Sequence, residues 1–94
     1  MQNVELKDTI PMMNSDDYKE RFKAEYYQTK VRYEKLKAFN TRIEAADRTN
    51  YMLHRKIEMP KHDCPEELLR SQQHVMGEYL HILEVRAVIE DIEL

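Results

Sequence analysis

DCPEELLRSQQHVMGEYLHILEVRAVIE, residues 63–90, decides the fold. It opens with Asp63, a side chain suited to capping, then Pro65 within a first turn and two carboxylates, Glu66 and Glu67, near the positive end of a helix dipole. From there Leu69, Gln72, Met76, Tyr79, Leu83, Arg86 and Glu90 recur at alternating steps of three and four. Leu68, Val75, Ile82 and Ile89 form the row beside them, and the two rows predict a helix over 64–92 with one broad apolar face. Leu80, Val85, Ala87, Val88 and Ile92 carry hydrophobicity around most of the circumference, more than one antiparallel neighbour can cover. Leu80, Val85, Val88 and Ile92 are therefore candidate partner contacts.

A second long helix is expected upstream, over 16–48. Asn14-Ser15-Asp16-Asp17 is a run of N-cap formers, and Asp17 with Glu20 fits a reciprocal capping box. Phe22, Tyr26, Thr29, Tyr33, Leu36, Asn40 and Ile43 then follow at heptad spacing, a seam in which Asn40 must find a hydrogen-bond partner to be tolerated inside. Ala24, Val31, Ala38 and Ala45 recur every seven residues on another face, where a further helix could come close. Residues 49–62, with Pro60, read as an irregular connection, and residues 1–14, with Pro11 and no sustained period, as an arm. The expected architecture is all-α: one domain over 1–94, a long antiparallel helical hairpin of coiled-coil character with an N-terminal arm, oligomeric because so small a chain gains buried area by associating.

Composition supports that reading. The chain has 94 residues, 41% hydrophobic and 35% charged, with one Gly and no Trp, a profile of surface-rich helices rather than of a sheet with tight turns. Net charge is −3, so the global field does not draw the protein to DNA or to an anionic membrane, and direct nucleic-acid binding is not expected. Residues 15–48 hold nine basic and seven acidic groups, a balance of +2, whereas 64–94 hold two and seven, a balance of −5; the two helices attract along their flanks. The single Cys64 cannot form an internal disulfide, and no apolar run approaches a membrane span, so the reading defaults to the cytosol with no membrane partner.

Catalytic chemistry finds little footing. Cys64 beside His62 and Asp63 reads as a capping segment, and His54, His62, His74 and His81 lack ligand spacing; His74 and His81 stand about 10 Å apart along a helix. No catalytic residue, metal or cofactor is expected. Gly77, the only glycine, lies inside the second helix, where it marks either a close approach or a tolerant surface site. Tyr26, Tyr33 and Tyr79 fall on packing seams, while Tyr27 and Tyr51 are freer to face a partner. With Lys30 and Arg32 they form a set able to stack on a base and hold a phosphate.

Asp17-Tyr18-Lys19-Glu20-Arg21-Phe22-Lys23-Ala24-Glu25-Tyr26 with Arg32-Tyr33-Glu34-Lys35-Leu36, and Cys64-Pro65-Glu66-Glu67-Leu68-Leu69 through Gln72, Met76, Tyr79, Leu83 and Arg86, resemble small uncharacterised proteins of phages and prophages, including relatives in crAss-like phages. The resemblance covers residues 16–48 and 63–93 and carries no catalytic residues. It implies a non-enzymatic accessory protein acting in the cytoplasm of a bacterial host. By analogy the first expectation is a counter-defence inhibitor, anti-CRISPR-like, that binds a host protein. The alternatives are an oligomeric sponge for a cyclic-nucleotide immune signal and a self-associating structural or regulatory coiled coil.

Overall fold

The computed structural model describes residues 3–50, 52 and 56–94. Its elements are all helical: a 3₁₀ turn over Leu6–Thr9 that runs into α1 (Ile10–Met13), then α2 (Tyr18–Thr49) and α3 (Glu66–Ile89). The two long helices fold back on each other into a rod 56 Å long, and the N-terminal elements lie along the first half of α2.

α2 starts where its cap formers place it, with a different set of bonds. Asp17 Oδ1 accepts from the Lys19 N–H at 3.0 Å, and the Ser15 hydroxyl oxygen accepts from the Asp17 N–H at 3.0 Å. Ser15 thus takes the place expected of Glu20, which instead pairs with Lys23 at 3.1 Å. α3 begins after Pro65, the N-cap residue, without a side-chain cap from Asp63. Before it, His62 holds the connection to the hairpin: its Nδ1 lies 2.7 Å from the Pro60 carbonyl oxygen, its Nε2 lies 3.5 Å from Glu66, and its ring stands edge-on to Phe39.

The core joins the start of α2 to the end of α3: Phe22, Tyr26, Tyr27, Leu80, Leu83, Ala87 and Ile92, with Val4, Met12 and Tyr33 packed against them. Apolar burial supplies the driving force. Asn40 sits in the seam at 8% exposure and is satisfied across it, its Nδ2 donating to the Leu69 carbonyl at 3.1 Å and to Gln73 Oε1 at 2.9 Å. That pair of bonds fixes the register of one helix on the other, because a slip along the seam would leave a buried amide unpaired.

The inner row of α3 is Leu69, Gln73, Met76, Leu80, Leu83 and Ala87, which corrects the expected row at Gln72, Tyr79 and Arg86. Those three side chains are exposed, and Arg86 lies over the Phe22 ring at 4.9 Å. The row of Leu68, Val75, Ile82 and Ile89 also faces outward, each residue more than half exposed. Asn40 and Gly77 select the inner row: Asn40 draws Leu69 and Gln73 inward, and Gly77 admits the Tyr33 ring at a level where even a Cβ would make it give way by a few tenths of an ångström.

The helix stops at Ile89 rather than running to residue 92. Asp91 takes a left-handed conformation (φ 59°), the Ile92 N–H donates to the Ala87 carbonyl at 2.8 Å and the Asp91 N–H to Val88 at 3.4 Å, the bonding of a Schellman cap. The reversal carries Ile92 back into the core at 6% exposure, and Lys19 Nζ secures it from α2 by donating to the Asp91 carbonyl at 3.1 Å.

The arm is docked. Thr9, 1% exposed, donates to the Leu6 carbonyl and accepts from Gln28 Nε2 at 2.9 Å, and Ala24 is buried. The small-residue row of α2 therefore meets the arm at its start, while Ala38 further along is exposed.

Candidate functional site

A groove of about 740 Å³ runs along one flank of the hairpin at mid-length, lined by Tyr33 of α2 and by Arg70, Gln73, His74, Gly77, Glu78, His81 and Ile82 of α3. Its volume falls in the range of small-molecule sites. Gly77 makes it. A Cβ built there would lie 3.3 Å from Tyr33 Cε1 and 3.4 Å from the Tyr33 hydroxyl, so the bare backbone lets the tyrosine ring reach α3 and form the floor. Of the two readings of Gly77, the tolerant surface site that the sequence favours gives way to the close approach, made by an aromatic side chain in place of a backbone.

Along the wall, residues 70, 74, 77, 78 and 81 share one side of α3 by helical spacing. The His74 Nε2 stands 3.2 Å from Glu78 Oε2, an exposed pair that a ligand can displace at little cost, and the exposed Arg70 reaches the half-buried Glu66 at 3.8 Å. A smaller pocket of about 200 Å³ continues past His81 to Lys30, Glu34, Tyr26 and Glu84. There the Tyr26 hydroxyl donates to Glu84 Oε2 at 2.6 Å, and burial, followed by that bond and the carboxylate's charge, raises the phenol above its ordinary pKa. The surface so assembled has an aromatic floor, cationic or protonatable groups at Arg70, His74, His81 and Lys30, and carboxylates able to accept from hydroxyl or amino groups.

The residues singled out from sequence distribute unevenly. Tyr27 is not free: it is 9% exposed, packs edge-on to Tyr26 at 5.1 Å and belongs to the core. Its edge and Lys30 line a second groove of about 400 Å³ between the arm and α2, with Val4, Val31 and Lys35. Arg32 is exposed and lines neither groove. Leu80 and Ile92 are core residues, each 6% exposed, because they fall on the inner row and on the reversed C-terminus respectively. Val85 and Val88 face solvent at 44% and 82% exposure. Tyr51 lies outside the described residues.

Sequence reasoning passed over Arg70, Gln73, His74 and His81 as sites, having sought a metal in the histidines. The signal that could have found them is Gly77, with His74 and His81 within one turn on either side. Among the described residues no three His, Cys, Asp or Glu side chains converge as a metal site, and no helix is long and apolar enough to cross a membrane.

Fold and groove together define an all-α helical hairpin with a ligand-sized recess over its seam. The chain belongs to the Sequestin family, whose model matches residues 16–89. That span holds both long helices and the groove and leaves out the docked arm. No curated protein and no solved structure matches the chain.

Proposed function

We propose that this protein sequesters a small phosphate-bearing nucleotide, holding it stoichiometrically and releasing it unchanged. The observation that carries the reading is the Tyr33–Gly77 groove, an aromatic floor bordered by Arg70, His74 and His81. A base stacks on an aromatic face whatever its identity, and a guanidinium and imidazole N–H groups donate to phosphate oxygens. Glu78 is placed to accept from a ribose hydroxyl or an exocyclic amine. The family's name points the same way, since a Sequestin by its name sequesters something. In this reading the protein is a phage or prophage accessory factor, of the kind resembled in crAss-like phages, that withdraws a cyclic-nucleotide immune signal in the cytoplasm of an infected bacterium.

Calorimetry against a panel of cyclic mono- and dinucleotides tests it. A saturable ligand is expected, with Tyr33→Ala lowering affinity by about tenfold or more and Arg70→Ala lowering it further at low salt. The ligand should be recovered chemically intact after the protein is denatured; its conversion to a product would replace sequestration by catalysis. Silence across the panel removes the nucleotide reading.

A second reading, a counter-defence inhibitor that binds a host protein directly, draws on the exposure of Val85 and Val88. Co-purification from an infected host separates the two: a stoichiometric protein partner lost on Val88→Glu supports direct inhibition, and recovery of the bait alone counts against it.

A further inference from the structure

We infer that the outward row of α3 is the seam of a two-fold dimer, and that a second copy of this chain supplies the missing wall of the Tyr33–Gly77 groove. Leu68, Val75, Ile82 and Ile89 recur every seven residues along about 32 Å of helix, and are 57%, 61%, 54% and 76% exposed. Ser71, Glu78 and Val85 alternate with them to complete a heptad pattern. This seam is separate from the one that joins α3 to α2, which runs through Leu69, Gln73, Met76, Leu80, Leu83 and Ala87. A seven-residue period on a straight helix is what a second helix of the same period interlocks with, and a copy of this chain offers it by symmetry.

The row superposes on itself when reversed, with Leu68 opposite the partner's Ile89 and Val75 opposite the partner's Ile82. The antiparallel arrangement also opposes the two helix dipoles and separates the carboxylates of the two C-terminal ends, Glu84, Glu90, Asp91 and Glu93. Glu78, the one ionisable residue of the seam, falls beside the two-fold axis. Its own His74 lies 3.2 Å away, and the partner's His81 comes within about one turn along the axis, so each carboxylate has imidazole N–H donors within reach from both chains.

Continuity with the groove gives the dimer its function, and in this respect the inference rests on the sequestration proposed above. Ile82 and Glu78 belong both to the seam and to the groove lining. A copy docked on the row therefore stands at the open edge of the groove and turns two shallow recesses into enclosed sites either side of the axis. Enclosure is what a sequestering protein needs, because a ligand on an open face dissociates quickly.

Sedimentation velocity on the full chain across a concentration series is the primary test. A dimer is expected, held by an interface at the modest end of the size range, and Val75→Glu is expected to yield a monomer of unchanged helix content by circular dichroism; position 75 is exposed and outside the groove, so the change does not disturb the hairpin. A wild-type monomer at every concentration overturns the inference, as does a dimer that persists in both Val75→Glu and Leu68→Glu. Orientation is read in a Cys64→Ser background: Ser71→Cys alone gives a covalent dimer on oxidation only in a parallel seam, whereas the antiparallel seam crosslinks only when Ser71→Cys and Val85→Cys are both present. Nucleotide calorimetry on the same samples keeps the two proposals apart. A dimer that binds no nucleotide leaves the seam standing and removes sequestration, whereas a wild-type dimer whose Val75→Glu monomer binds equally well overturns the shared site. Affinity at least tenfold weaker in the monomer, a difference of about 1.4 kcal/mol, is the expected result.

Discussion

Removing the Asn40 amide should lower stability more than any other single polar deletion in the hairpin seam, and the size of the loss follows from its two bonds. Asn40 donates across the helix pair at 3.1 and 2.9 Å from a position that is 8% exposed. With about 1 kcal/mol for each such bond, Asn40→Ala costs about 2 kcal/mol. In a domain of this length each kcal/mol moves the thermal midpoint by roughly 4 to 8 °C, so the midpoint falls by roughly 8 to 16 °C. Asn40→Leu is also destabilising, because Gln73 Oε1 loses its donor beneath an apolar side chain. Replacing both partners removes the unmet polar group, and Asn40→Leu with Gln73→Leu should return to within about 1 kcal/mol of the wild type. Urea unfolding followed by circular dichroism on the wild type, Asn40→Leu, Gln73→Leu and the double variant gives the coupling energy directly. The reasoning fails if Asn40→Ala costs less than about 0.5 kcal/mol, the scale of an ordinary surface change. It fails equally if Asn40→Leu alone stabilises the protein, since the amide would then do nothing the seam needs.

Gly77→Ala gains helix propensity of about 1 kcal/mol and loses part of it as the Tyr33 ring yields from its 3.3 Å contact; a small net rise in unfolding free energy and a weaker nucleotide complex are expected, while Gly77→Leu should fill the groove and abolish binding by calorimetry. Asp91→Gly relieves both a left-handed non-glycine residue and a carboxylate at the negative end of α3, and chemical denaturation should show a gain of about 1 kcal/mol, with a loss pointing to a role for the carboxylate itself. Tyr26 keeps its proton in the folded state at pH values where an unfolded tyrosine, with its pKa of about 10, has lost it. The native state then binds more protons than the unfolded one, so stability is complete below about pH 10 and falls as pH rises beyond it. Tyr26→Phe should flatten that alkaline decline in pH-dependent urea melts, and an unchanged slope would assign it to other groups.

Much of the fold is legible in the chain. The cap formers before Tyr18, the proline and carboxylates before α3, and the heptad seam of α2 define two long amphipathic helices, because capping and periodicity are local properties of sequence. Asn40 also announces that it needs a partner, since a seam position cannot leave an amide unbonded. Local rules do not say which of several seven-residue rows on α3 turns inward. Rows through residues 72, 79 and 86 and through 73, 80 and 87 lie side by side, and only the approach of α2, with Asn40 against Gln73 and Tyr33 against Gly77, selects the second. Leu80 becomes core by that selection, and Ile92 becomes core because Asp91 reverses the chain, a choice made by packing against Phe22 and Ala87 rather than by helix propensity. The groove has the same origin: its floor comes from α2 and its wall from α3, and Tyr33 and Gly77, 44 positions apart, meet only when both helices are in place.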